Sequence, residues 1–251
     1  MLLDAHCHIT SLTPLDAQGA ISLPASGFCF IDSSIDCASS EKSLALSSTH
    51  PHIYTALGFH PFCVKEYTPD IIGHYETFLC RNSKVVAIGE IGLDYKAETD
   101  APLARQEEVL RAFLSLARAS KLPVIIHNRF DSERIFEILD EFFTSYEQVV
   151  FHCFSYGPGK LTKIIGRGGF VSFSLNVLRK NKDILGSLAA CPLEHMLLET
   201  DSPYMRVRGS LSVPGDIDKV YSFVAAGRGV AREDLEKAIF KNAKRLFFKD
   251  V

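Results

Sequence analysis

Long apolar runs are missing from this chain of 251 residues, and none approaches the roughly 20 residues that a bilayer-spanning helix needs. A secretory leader is not expected, because only Leu2 and Leu3 separate Met1 from Asp4. No Cys-x-x-Cys pair occurs among the 7 cysteines, whose number is odd, so reduced thiols and a cytoplasmic location are expected. An excess of positive charge is missing as well. The formal net charge of −3 argues against a protein that coats nucleic acid or membrane by bulk electrostatics. No linker, low-complexity stretch or short repeat interrupts the sequence, so residues 1–251 are expected to form a single domain.

What is present begins with Leu2-Leu3-Asp4-Ala5-His6-Cys7-His8. It is apolar at its start and bounded by turn residues, so it reads as a buried strand. Residues two apart on a strand share a face, so Asp4, His6 and His8 point one way and Cys7 the other. Further strand-like runs cover residues 28–32, 53–60, 85–90, 123–127, 149–152, 169–174 and 196–201. Their near-continuous apolar character suits a parallel sheet covered on both faces. Helical patterns lie between most of them. The clearest spans Gln106 to Ala119, another covers 132–143, and weaker ones lie at 69–79, 161–165 and 216–226. No helix is evident between the first two strands.

Eight strands alternating with helices point to an α/β fold, a single (β/α)8 TIM barrel, with an open doubly wound sheet as the alternative. Polar residues close nearly every strand: His6 and His8, Asp32, His60, Glu90, His127, His152 and Asp201. A barrel gathers such ends at one mouth, at the C-terminal ends of its strands, whereas an open sheet spreads them along an edge. Gathered imidazoles and carboxylates are costly to bury unless paired or coordinated, and a metal site offsets that cost for all of them. Six ligands exceed what one tetrahedral ion takes, so two divalent ions (Zn, Mn or Mg) are expected. His6, His8 and Asp201 are assigned to one ion, His127 and His152 to the other, and Glu90 to both. Asp4 and Glu199 lie deeper on the same faces, where each could accept a hydrogen bond from a ligand histidine.

The segments Asp4-Ala5-His6-Cys7-His8, Gly58-Phe59-His60-Pro61, Gly89-Glu90-Ile91-Gly92-Leu93-Asp94-Tyr95, Leu122-Pro123-Val124-Ile125-Ile126-His127, Phe151-His152-Cys153-Phe154 and Glu199-Thr200-Asp201-Ser202-Pro203-Tyr204 resemble, in order, the TatD family of metal-dependent deoxyribonucleases. The closing Asn242-Ala243-x-x-Leu246-Phe247 fits as well. The resemblance implies a barrel, a two-metal site on those same six residues, and hydrolysis of DNA phosphodiesters, often from the 3′ end of single strands. Three departures fall near the expected substrate: Phe62 where the family usually has a second histidine, Ser212 where asparagine is usual, and the bulky Phe130-Asp131 pair.

Two ions can acidify a water, position it and neutralise charge on the leaving oxygen. Catalytic roles fall to Glu90 as the shared carboxylate, Asp201 as general base, and His60 as a contact to the scissile phosphate or a proton donor to the leaving group. A cap on the Pro61 turn is the structural alternative for His60. Arg129 could hold a phosphate oxygen. Tyr95 and Tyr204, with Phe62 and Tyr156, are the loop aromatics available to unpaired bases. Residues 148–182 contain no acid, and Lys160, Lys163, Arg167, Arg179, Lys180 and Lys182, followed by Arg206 and Arg208, would form a local basic rim for DNA. Hydrolysis of a small ester, lactone, amide or phosphotriester is the competing reading, but relatives of that kind often bridge their metals with a modified lysine, and no lysine closes a strand. A non-catalytic metal-binding scaffold is the reading from another class. Nothing in the sequence speaks to oligomeric state.

Overall fold

The structure, a computed structural model, describes residues 1–97, 101–130, 132–207 and 209–248. Strands β1 (Leu2–Cys7), β2 (Phe28–Ser33), β3 (Ile53–Leu57), β4 (Val85–Asp94), β5 (Val124–Arg129), β6 (Val149–Phe151), β7 (Phe170–Phe173) and β8 (Met196–Leu198) make one sheet. They are parallel and adjacent in sequence order. Beyond β8 the chain returns to β1. The Asp201 N–H donates to the His6 carbonyl at 3.0 Å, and the His8 N–H donates to the Ser202 carbonyl at 2.8 Å. The sheet is therefore a nearly closed barrel, and the open-sheet alternative is excluded.

Helices fill the outside: α1 (Pro14–Ile21), α2 (Cys37–Thr49), α3 (Ile71–Arg81), α4 (Leu103–Ser120), α5 (Arg134–Phe142), α6 (Pro158–Ile165), α7 (Lys182–Ala190), α8 (Ile217–Arg228) and α9 (Arg232–Phe247). In α4 the stripe Val109, Leu110, Phe113, Leu114, Leu116 and Ala117 is buried against the sheet, as its spacing requires. Among the described residues no helix is long and apolar enough to cross a membrane.

Helix α2 was not evident from the sequence because its inward face is serine. Ser40, Ser43 and Ser47 are fully buried. Ser43 Oγ lies 3.0 Å from Thr55 Oγ1 and 3.2 Å from the Asp32 carbonyl oxygen, and Ser40 Oγ lies 3.1 Å from the Tyr75 hydroxyl. Small hydroxylated residues let the helix approach β2 and β3 closely while their polar groups stay paired. A reciprocal cap starts it: Asp36 Oδ1 accepts the Ser39 N–H at 2.7 Å, and Ser39 Oγ accepts the Asp36 N–H at 3.0 Å. Helix α1, also unexpected, is a short one opened by Thr13, whose hydroxyl accepts the Asp16 N–H.

Several strands are shorter than their apolar runs. β3 ends at Leu57, β6 at Phe151 and β8 at Leu198, so His60, His152 and Asp201 sit just past strand ends. β4 runs the other way, four residues beyond Glu90 to Asp94. Two glycines allow this stretch to pack. A Cβ on Gly92, whose φ is +157°, would meet the His127 carbonyl oxygen at 1.7 Å, and one on Gly58 would meet the Glu90 nitrogen at 2.1 Å. No other residue type permits β3, β4 and β5 to close on Glu90.

Candidate metal centre

Six side chains from five strands meet at the C-terminal mouth, and all six are buried: His6, His8, Glu90, His127, His152 and Asp201. Ligand-capable atoms lie within 4.8 Å of one another in three overlapping groups: His6, His8 and Glu90; His6, His152 and Asp201; His60, Glu90 and His127. The Glu90 carboxylate faces two ways. Its Oε2 lies 3.4 Å from His6 Nε2 and 3.6 Å from His8 Nε2. Its Oε1 lies 2.5 Å from His127 Nδ1, 2.7 Å from His152 Nε2 and 3.5 Å from His60 Nε2. Asp201 Oδ1 stands 3.6 Å from His8 Nε2 and 4.0 Å from His6 Nε2. Asp201 has a φ of +53°, an uncommon backbone state that aspartate tolerates better than most residues.

The hydrogen bonds behind the rings decide which nitrogens face the centre as lone pairs. His8 Nδ1 is 2.7 Å from the Ser33 carbonyl oxygen, which only accepts, so the proton sits on Nδ1 and Nε2 is bare. His127 Nε2 is 2.8 Å from Asp94 Oδ2. Burial raises the Asp94 carboxyl, but the bond from His127, the Lys96 N–H and nearby positive charge bring it below its ordinary value. Ionised Asp94 accepts, so His127 carries its proton on Nε2 and turns Nδ1 toward Glu90. His6 Nδ1 meets Ser33 Oγ at 3.0 Å. In their neutral forms His8 Nε2 and His127 Nδ1 thus face carboxylate oxygens, an arrangement that a divalent cation satisfies.

Charges follow the same logic. Burial raises the Glu90 carboxyl, but His152, His60 and His127 hold it well below its usual value. Burial raises Asp201 too, and His8, His152 and His6 bring it down. Burial lowers His152, but Glu90 and Glu199 raise it well above the ordinary histidine value. His60 is dominated by burial, which pushes it down to about 3 against the opposing pull of Glu90. Its Nδ1 accepts the Phe62 N–H at 3.1 Å, so the neutral ring carries its proton on Nε2, on the Glu90 side. His60 is therefore both the cap of the Pro61 turn and a donor aimed at the centre.

Other expected site residues are distributed differently. Glu199 Oε1 accepts the Cys153 N–H at 2.7 Å and lies 3.5 Å from His152 Nδ1, behind that ring. Asp4 does not reach an imidazole. It accepts the Thr200 N–H at 2.9 Å, the Thr200 hydroxyl at 2.6 Å and the His6 N–H at 3.3 Å, tying β1 to the segment after β8. Asp32 likewise turns from the cluster and accepts the Ile9 and Thr10 N–H groups. The sequence signal for Asp94 in this role is its spacing, since a strand continued past Glu90 puts it on the same face.

A cleft of about 730 Å³ opens above the cluster, and Arg129, Arg179, Asn176, Phe62 and Tyr204 are among its walls. Tyr95 is exposed but does not line it. Tyr156 donates to the Asn128 carbonyl at 2.9 Å and also stays out of the cleft lining. Of the expected basic rim, Lys163 pairs with Glu133, Arg167 pairs with Asp140, and Arg179 lines the cleft wall. Ser212 is buried behind the mouth and Phe130 packs on the core. Asp131 and Arg208 lie outside the described residues.

The family described as TatD related DNase matches residues 3–248. The chain belongs to that family. It is accordingly a metal-dependent hydrolase of the TatD deoxyribonuclease group. It is 31% identical over 251 residues to an uncharacterised metal-dependent hydrolase of Methanocaldococcus jannaschii, covering 98% of this chain and 96% of that one. It is 28% identical over 220 residues to the 3′-5′ ssDNA/RNA exonuclease TatD of Salmonella typhimurium, covering 83% of each. Among solved structures, a TatD homologue from Escherichia coli superposes with a TM-score of 0.87 at 25% identity over 98% of both chains.

Proposed function

We propose that this TatD-family hydrolase removes nucleotides from the 3′ ends of single-stranded DNA by a two-metal mechanism, with His6, His8 and Asp201 on one ion, His127 and His152 on the other, and Glu90 shared. The observation that carries the reading is the split of Glu90: one oxygen faces His6 and His8 at the end of β1, and the other faces His127 in β5 and His152 just past β6. Bound divalent ions supply Lewis acidity, which acidifies water and neutralises charge building on a phosphate. Asp201, ionised and facing the cleft, accepts the proton of the attacking water. His60, neutral with its proton on Nε2, donates a hydrogen bond to a phosphate oxygen. Arg129, 44% exposed at its side chain, holds a neighbouring phosphate in a charge-assisted contact. Tyr204 stands on the cleft wall as a substrate contact. Support for the end and strand preference comes from the exonuclease named in Salmonella typhimurium.

The test is hydrolysis of a single-stranded oligonucleotide, its duplex and a lactone, with and without chelator, in wild type and Glu90→Ala. Chelator-sensitive release of 3′ nucleotides, lost in Glu90→Ala together with part of the bound metal, is expected. Full retention of both metals in Glu90→Ala removes the shared carboxylate. Lactone turnover with intact DNA overturns the nuclease reading.

A further inference from the structure

The mouth carries an aromatic ring that the catalytic reading leaves unused. Phe62 is 51% exposed and lines the cleft above the cluster. Its ring lies nearly parallel on the His60 imidazole, with centroids 5.1 Å apart and planes inclined by 27°. The backbone fixes it there. Pro61 opens a short 3-10 turn over Pro61–Glu66, the Phe62 N–H donates to His60 Nδ1, and the Cys63 N–H donates to the His60 carbonyl at 2.8 Å. One ring face is therefore covered by a buried imidazole, and the other is open to the cleft. Tyr204, equally exposed, meets the His8 ring edge-on, with centroids 4.9 Å apart and planes at 71°.

A flat π-face held beside a phosphate-hydrolysing centre is what an unpaired base stacks on, and every base has such a face. A base inside a duplex has both faces covered by its neighbours and must leave the stack first. Arg129 ends β5, across β4 from Phe62, where it can hold the backbone while the base lies on the ring. We propose that Phe62 is the stacking platform for the 3′-terminal base, so that recognition depends on that base being present and unpaired. The proposal deepens the nuclease reading and rests on it.

Binding can be read without turnover, by fluorescence anisotropy of chelator-treated protein with two 5′-labelled single strands. The strands are identical except that one ends in an abasic residue. The wild type is expected to bind the base-bearing strand about tenfold more tightly, within the range for base–aromatic stacking. Phe62→Tyr should keep that ratio. Phe62→Leu, which retains apolar bulk without a π-face, and Phe62→Ala should bring it to within about twofold of unity. Equal affinities in the wild type, or an unchanged ratio in Phe62→Leu, overturn the proposal. Selective binding without metal-dependent hydrolysis would sink the nuclease reading and leave the platform standing, whereas binding of neither strand overturns the platform and leaves the nuclease reading to the hydrolysis assay.

Discussion

Replacing Asp94 with asparagine removes a charge from behind His127 while keeping the shape of the side chain. Asp94 is fully buried, with one oxygen on the Lys96 N–H at 2.7 Å and the other 2.8 Å from His127 Nε2. The carboxylate holds the His127 proton on the far nitrogen and makes Nδ1, 3.2 Å from His152 Nε2, a more basic donor. Partners of this kind contribute about 10- to 100-fold in metal affinity or activity, or roughly 1.4–2.8 kcal/mol. Asp94→Asn can still accept the hydrogen bond, so its loss should fall near the lower figure. Asp94→Ala leaves a buried N–H without its acceptor, so its loss should fall near the upper one and the metal-free protein should lose about 1–3 kcal/mol of stability. Competition with a chromophoric chelator gives the zinc and manganese affinities, and urea unfolding of the metal-free variants gives the stability. Wild-type metal affinity in both variants would refute the assignment of the His127 proton and the role of Asp94.

Three further outcomes are expected. Ser43→Ala should destabilise by about 1 kcal/mol in urea unfolding, and Ser43→Leu, although more apolar, by about 1–3 kcal/mol because the helix cannot move outward; a more stable Ser43→Leu would contradict the close packing of α2. Burial, with the Glu199 charge, raises the Asp4 carboxyl well above its ordinary value despite the bonds from Thr200. A raised folded pKa gives stability that is complete below the unfolded value and is lost as pH rises through the folded one, so the advantage of wild type over Asp4→Asn should shrink as pH rises above the ordinary carboxyl range, and a flat difference would refute it. Adding zinc or manganese to chelator-treated protein at about 100 times Kd should stabilise it by about 2.7 kcal/mol, seen as a rise in Tm, and no rise would count against a metal centre in the folded state.

The strand runs were legible because a parallel barrel buries both faces of each strand and leaves apolar stretches in the sequence. Helix α4 was legible for a related reason, since its apolar stripe is wide and uninterrupted. Helix α2 was hidden because its buried stripe is serine, whose hydroxyls find partners on β2, β3 and Tyr75 as well as on the helix's own backbone. The reach of β4 to Asp94 was hidden too, since only the contact of Gly92 with the His127 carbonyl shows why the strand continues.

By itself the sequence determined the eight strand runs, and it placed His6, His8, Glu90, His127, His152 and Asp201 at or near strand ends, because hydrophobic periodicity and polar termini are local properties. Only the tertiary structure decided which nitrogen each ring presents, that Asp94 and not Asp4 stands behind a histidine, and that Phe62 lies flat on His60. Proton position and ring orientation depend on partners brought by other strands, and a chain read residue by residue contains no record of those partners until the barrel closes.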